Sequence, residues 1–173
     1  MSHTTKSLYE GQVVRLGLES LVLPNGDALE LEVVRHPGGA AVVALDTKDR
    51  VCLLRQYRHA AGGWLWELPA GKLEPGEAAQ LTAQRELEEE AGLCAESWQK
   101  LGETLTTPGF CDELIHLYLA TGLTQTQARP QSHELIEGHW LPFETALEQV
   151  HTGSIRDAKT MLGLMLAAGG RDV

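Results

Sequence analysis

The stretch Gly71-Lys72-Leu73-Glu74-Pro75-Gly76-Glu77-Ala78-Ala79-Gln80-Leu81-Thr82-Ala83-Gln84-Arg85-Glu86-Leu87-Glu88-Glu89-Glu90-Ala91-Gly92-Leu93 decides how the rest of the chain is read. No Gly or Pro interrupts residues 77–91, and helix formers dominate. Pro75-Gly76 precedes the run and Gly92 closes it, the positions of a helix start and a left-handed C-terminal cap. The spacing predicts a helix on which Glu86, Glu89 and Glu90, at i, i+3 and i+4, share one face. Like charges so placed destabilise a bare helix by roughly 0.2–0.5 kcal/mol per pair. One account of the cluster is a solvated face, helped by Arg85 and Glu89 at i, i+4. The other is a divalent cation site, because hard ions take oxygen ligands and turn crowded carboxylates into an attraction.

The wider pattern separates the two. Gly71 is followed after five residues by Glu77, and after seven more by Arg85-Glu86-Leu87-x-Glu89-Glu90-x-Gly92-Leu93. This resembles the Nudix box and matches it at every specified position. At average residue usage such a match arises by chance on the order of 10⁻¹⁰ per starting position. The resemblance implies an α/β fold, the Nudix α/β/α sandwich with a mixed sheet and an N-terminal antiparallel β-extension. It also implies hydrolysis of a nucleoside diphosphate derivative with Mg²⁺, or Mn²⁺ in its place. The metal ligands it implies are the carbonyl of Ala70 and the carboxylates of Glu86, Glu89 and Glu90. Arg85 would orient this carboxylate shell, and Glu77 would support it or hold an outer metal.

Three further segments resemble the ADP-ribose pyrophosphatase branch of that family. Trp66-Glu67-Leu68-Pro69-Ala70-Gly71-Lys72-Leu73-Glu74 leads into the box. Thr107-Pro108-Gly109-Phe110 sets a proline 15 residues after Leu93, the spacing associated with ADP-ribose specificity. Leu23-Pro24-Asn25-Gly26 and Val34-Arg35-His36-Pro37-Gly38 match the N-terminal strands. The implied reaction takes ADP-ribose and water to AMP and ribose 5-phosphate. The implied substrate-binding residues are Arg58, whose guanidinium suits a phosphate, with Arg35, Pro108 and Glu113. The general base expected by alignment is Glu134, in His133-Glu134-Leu135-Ile136-Glu137, with Glu137 as its competitor. Together Glu134, Arg85 and Glu89 form the expected catalytic set. A zinc reading of His133-Glu134 fails because the HExxH pattern lacks its second His. Relatives often stack the base on an N-terminal aromatic, but Tyr9 is the only aromatic before Tyr57, which leaves Trp64 and Trp66 as alternatives. The resemblance further implies a homodimer that exchanges N-terminal strands. Two rival readings stand beside it: hydrolysis of another nucleotide-sugar, and a non-catalytic sensor that binds ADP-ribose.

Composition sets outer bounds. The chain has 173 residues, about one domain in length, with 14 basic and 24 acidic residues and a formal charge of −10. That charge argues against nucleic-acid and membrane-surface partners. It does not exclude a phosphate-bearing small molecule, since a divalent cation reverses the local field. Three widely spaced cysteines, Cys52, Cys94 and Cys111, form no disulfide framework and point to reduced thiols in a cytoplasmic protein. The N-terminus lacks the apolar core of a signal peptide, and the longest apolar run falls short of the ~18 residues of a membrane span.

Outward from the box, the chain before residue 68 reads as β-structure. Strands are expected within 9–23, a tight turn at Pro24-Asn25-Gly26-Asp27, and a half-buried strand through Leu29, Leu31 and Val33. Buried strands follow at 40–45 and 51–57. After the box, strands are expected at 98–106, 113–120 and 136–141, and helices at 144–151 and 157–168. The last helix is read with Ala158, Met161, Leu162, Met165 and Leu166 on one stripe. Residues 124–133, rich in Gln and Thr, read as a mobile loop. The expected organisation is a dimerising β-extension over 1–36 and a Nudix hydrolase domain over 37–173.

Overall fold

The computed structural model describes residues 4–132 and 134–170. Its contacts divide the chain into two compact units, one of Met1–Gly38 with Leu105–Leu114 and one of Gly39–Thr104 with Ile115–Val173.

In the first unit β1 (Thr4–Glu10), β2 (Arg15–Val22) and β3 (Ala28–Arg35) form an antiparallel sheet in that order. The expected turn joins β2 to β3. Asn25 Oδ1 accepts from the Asp27 N–H at 3.1 Å, and Gly26 takes φ +93°, where a Cβ would be strained. β3 alternates as expected but is not half-buried along its length. Leu29 and Leu31 are 39% and 37% exposed, because among the described residues no element of this unit covers that face. The segment 105–114 is laced to β3 through its backbone. The Val34 N–H donates to Phe110 O at 2.7 Å and the Asp112 N–H to Val34 O at 3.2 Å.

The second unit is built on β4 (Gly39–Leu45), β5 (Arg50–Arg58), β6 (Gly63–Glu67), β7 (Ala70–Lys72), β8 (Leu93–Leu105), β9 (Leu114–Gln125) and β10 (Ile136–Pro142). The sheet order is β10-β5-β4-β9-β8, with β6 paired to β5 and β7 to β4. β4 and β9 run parallel while β5 is antiparallel to β4, β6 and β10, so the sheet is mixed. Alternate residues of the fully buried β4 feed two separate cores. Ala41, Val43 and Leu45 pack with Phe143, Ala146, Ile155 and Leu164 of the C-terminal region. Ala40, Val42 and Ala44 pack with Ala83 and Leu87. Helix α1 (Ala79–Ala91) therefore covers one face, and α2 (Phe143–His151) with α3 (Ala158–Gly169) the other. This is the expected α/β/α sandwich.

Three local expectations change. α1 starts at Ala79, two residues late, because the Glu77 carboxylate accepts from the Glu74 N–H at 3.1 Å and the Thr82 hydroxyl at 2.8 Å and so shapes the turn before the helix. The segment after residue 124 is tied down. The Thr126 N–H donates to Gly92 O and the Arg129 N–H to Glu89 O, each at 2.7 Å, so it satisfies carbonyls at the end of α1. The α3 stripe is rotated. Thr160, Gly163, Leu164 and Ala167 are buried, while Met165 is 55% exposed. The small residues face inward because the helix lies close to the sheet: a Cβ on Gly163 would meet Leu68 Cδ1 at 2.7 Å.

Candidate active site

The box residues converge where α1 passes over β7. The buried face of α1 is Thr82, Ala83, Glu86, Leu87 and Glu90, so a hydrophobic contact surface carries two carboxylates into the interior. Glu90 Oε2 accepts the Ala70 N–H at 2.8 Å. Glu86 lies against Gly71 so closely that a Cβ there would fall 1.9 Å from Glu86 Oε1. Burial pushes the Glu90 carboxyl up to about 8, with the neighbouring charges of Glu86 and Glu134 adding to it against the Ala70 N–H and Arg58. Burial raises Glu86 too, opposed by Arg85 and supported by Glu89 and Glu134. Burial is the first cause of both shifts, and it outweighs even the Arg85 guanidinium on Glu86, so the segment brings two buried oxygen donors together of the kind a hard divalent ion takes.

Arg85 binds the acidic residues into one group. Its Nη1 donates to Glu86 Oε1 at 2.7 Å and Glu89 Oε2 at 3.3 Å, and its Nε to Glu77 Oε1 at 3.2 Å. Hydrogen bonds from Arg85, then from Thr82, hold the Glu77 carboxyl down to about 2. Glu89 is the most exposed of the three box ligands expected, with its side chain 39% open. Among the described residues no three acidic, imidazole or thiol groups are already gathered about one point as a metal cage. The guanidinium of Arg85 stands between Glu86 and Glu89 instead. The donor set nevertheless suits a hard divalent ion: carboxylates, a backbone segment held against them, and a glycine where any side chain would collide. Glu86, Glu89, Glu90 and the Ala70 carbonyl are the groups that could hold it.

Glu134 and Glu137 separate clearly. Glu134 lies in the loop before β10, pinned by the Gln131 N–H to its Oε2 at 2.8 Å, and its charge reaches both Glu86 and Glu90. Glu137 pairs in register with Arg55 and stands 3.6 Å from His139, with a side chain 61% exposed. His133 lies outside the described residues.

Arg58 is not a free surface cation. Its Nε and Nη2 fork onto both oxygens of Glu67 at 2.8 and 2.9 Å, and Glu67 is only 1% exposed. Lys159 Nζ bonds the same carboxylate and also Asp157 Oδ2 at 3.0 Å. Burial works to raise the Glu67 pKa, but Arg58 and Lys159 together outweigh it and leave the carboxyl below its ordinary range. Sequence reasoning missed this network. Glu67 lies in the segment that leads into the box, but its partner Lys159 is 92 residues away and carries no local signal.

The remaining expected substrate residues belong to the first unit. Arg35 bonds Glu19 and, at 3.0 Å, Asp112 Oδ2. Glu113 accepts from the Thr106 hydroxyl at 2.7 Å, and Pro108 lies in the turn closed by the Phe110 N–H on Thr107 O at 3.1 Å. Of the thiols, Cys52 is buried in the core and pushed up to about 12 by burial, while Cys94 and Cys111 are partly exposed; all three are free.

Comparison with known proteins identifies the family. The NUDIX domain family matches residues 35–162. The chain is 40% identical to the ADP-ribose pyrophosphatase of Mycobacterium tuberculosis, over 94% of this chain and 80% of that one. It is 39% identical to the methanol dehydrogenase activator of Bacillus methanolicus, over 92% and 88%. A solved structure described as an ADP compounds hydrolase superposes with a TM-score of 0.84, at 19% identity, over 99% of this chain and 95% of that one. The two-faced sheet, the box helix and these matches define one class: the chain belongs to the Nudix family. No described helix is long and apolar enough to cross a membrane.

Proposed function

We propose that this chain is a divalent-metal-dependent Nudix hydrolase that cleaves the diphosphate of ADP-ribose to AMP and ribose 5-phosphate. The observation that carries the chemistry is the pair of buried carboxylates, Glu86 and Glu90, held against the Ala70-Gly71 segment. The substrate assignment is supported by the 40% identity to an ADP-ribose pyrophosphatase over nearly the whole chain.

Glu86, Glu89, Glu90 and the Ala70 carbonyl hold the cation, with Mg²⁺ as the physiological ion and Mn²⁺ as a substitute. When bound, such an ion neutralises diphosphate charge and polarises a P–O bond. Arg85 keeps Glu86 and Glu89 oriented. Glu134, whose charge acts on Glu86 and Glu90, accepts a proton from the attacking water at its carboxylate. Arg58, fixed by Glu67, places a positive charge near Glu90 and the substrate phosphates. Arg35, Pro108 and Glu113 are the further substrate-binding residues of this reading.

The working unit in this reading is a homodimer in which residues 1–36 act as the dimerising extension of a 37–173 hydrolase domain. The exposed Leu29 and Leu31 of β3 support it. A cytoplasmic setting suits three free thiols. Product analysis across a panel of nucleoside diphosphate sugars, with Mg²⁺ and with Mn²⁺, tests the proposal. Preference for ADP-ribose supports it, and preference for another sugar moves the substrate while leaving the chemistry.

A further inference from the structure

The segment Glu67-Leu68-Pro69-Ala70 connects β6 to β7 and delivers Ala70 and Gly71 to the site. It is held at every residue. The Glu67 carboxylate takes Arg58 and Lys159. The Leu68 N–H donates to Thr160 Oγ1 at 2.9 Å. Pro69 O accepts the Val42 N–H at 2.9 Å. The Ala70 N–H donates to Glu90 at 2.8 Å. Lys159 and Thr160 reach the segment from α3, on the sheet face opposite α1.

Thr160 is the centre of that anchoring. It is fully buried. Its hydroxyl donates to Asp157 Oδ2 at 2.6 Å while accepting from Leu68, so a carboxylate, a hydroxyl and a strap amide form one relay. Asp157 also caps α3 through the Thr160 N–H at 3.0 Å and binds Lys159 at 3.0 Å. The relay is a satisfied polar network inside an apolar core, which makes its geometry stiff and its partial loss costly. None of its members belongs to the box.

We propose that Thr160, backed by Asp157 and the Lys159–Glu67 pair, is a positioning residue that fixes the Ala70-Gly71 strap against Glu86 and Glu90 and so sets how tightly the cation binds. The inference rests on the reading of that strap as part of the metal site. Thr160→Val keeps the shape and removes both hydrogen bonds. Thr160→Ser restores the hydroxyl. Leu164→Ala, elsewhere on the same buried face of α3, serves as a control that loosens packing without touching the relay.

Two quantities decide it: Mn²⁺ affinity, from the resonance of free Mn²⁺ in titrations, and amide hydrogen exchange over residues 68–71 of the metal-free protein. Thr160→Val is expected to weaken Mn²⁺ binding about tenfold, the usual scale for outer-shell changes, and to speed exchange at Leu68 and Ala70. Thr160→Ser returns both toward wild type, and Leu164→Ala lowers the melting temperature with Mn²⁺ affinity kept. The inference is overturned if Thr160→Val leaves affinity unchanged, with or without faster exchange, or if Leu164→Ala weakens binding equally. Failure of the underlying site reading looks different: Glu90→Gln would then bind Mn²⁺ as wild type does.

Discussion

Gly71 and Glu86 touch so closely that a side chain at residue 71 would have to push the Glu86 carboxylate aside: an added Cβ would lie 1.9 Å from Glu86 Oε1 and 2.1 Å from its Cδ. The demand is for space, since Gly71 is not among the positive-φ residues. Gly71→Ala is therefore expected to displace the Glu86 carboxylate and lower kcat/KM by on the order of 10²-fold, the cost of roughly 1 Å of misplacement. Steady-state kinetics beside a melting curve checks this. Near-wild-type activity would mean that Glu86 need not sit where it does.

The division of labour between Glu134 and Glu137 is equally open to measurement. The charge of Glu134 acts on both buried box acids, while Glu137 pairs in register with Arg55 of β5. Glu134→Gln should lower kcat by about 10²–10⁴, the range for a lost general base, with Mn²⁺ affinity within a few-fold of wild type. Glu137→Gln should stay within a few-fold in both. The reverse pattern would exchange the two assignments.

Much of this site is legible in the amino-acid order alone, for an identifiable reason. Glu86 and Glu90 are related by helical spacing, so one stretch of sequence places both on one face. The turn at Asn25-Gly26 and the cap at Gly92 are equally local, decided by glycine's freedom at φ +93° and +63°. The features that stay hidden are non-local. Nothing near Glu67 announces Lys159, and nothing near Arg58 announces that its guanidinium is engaged by a buried acid. The α3 stripe misleads because hydrophobicity points to Met165 and Leu166, whereas close approach to Leu68 selects the small face through Gly163. β3 misleads in the opposite sense. Its alternation is real, but its apolar side finds no cover within its own unit among the described residues.

The Glu67 network carries a pH signature. Its carboxyl is buried yet lies below the ordinary value of 4.5. A lowered folded-state pKa gives stability that is fully present above about 4.5 and is lost as pH falls through the folded value. Glu67→Gln takes the negative charge from Arg58, whose side chain is 43% exposed, and from Lys159, which keeps Asp157, so it costs about 1–3 kcal/mol, or roughly 3–10 °C in melting temperature at this size. The gap between variant and wild type should be full at pH 7 and narrow below pH 4.5. A gap independent of pH would show that Glu67 acts through packing alone.

The exposed side of β3 bears on assembly. Leu29 lies opposite Leu21 in register, and Leu29 and Leu31 are both more than a third exposed. Leu29→Glu combined with Leu31→Glu should shift a dimer toward monomer in light scattering, with the secondary-structure spectrum retained. A wild-type monomer, or a variant that remains dimeric, would remove β3 from the interface.

The most direct test of the central claim is the product of a single reaction: purified protein with ADP-ribose and Mg²⁺, run beside Glu90→Gln. AMP and ribose 5-phosphate released in equal amounts by wild type, and at least 10²-fold more slowly by the variant as expected for a displaced metal site, is the result this account requires. Absence of AMP from the wild-type reaction, or equal rates in the two proteins, would contradict it.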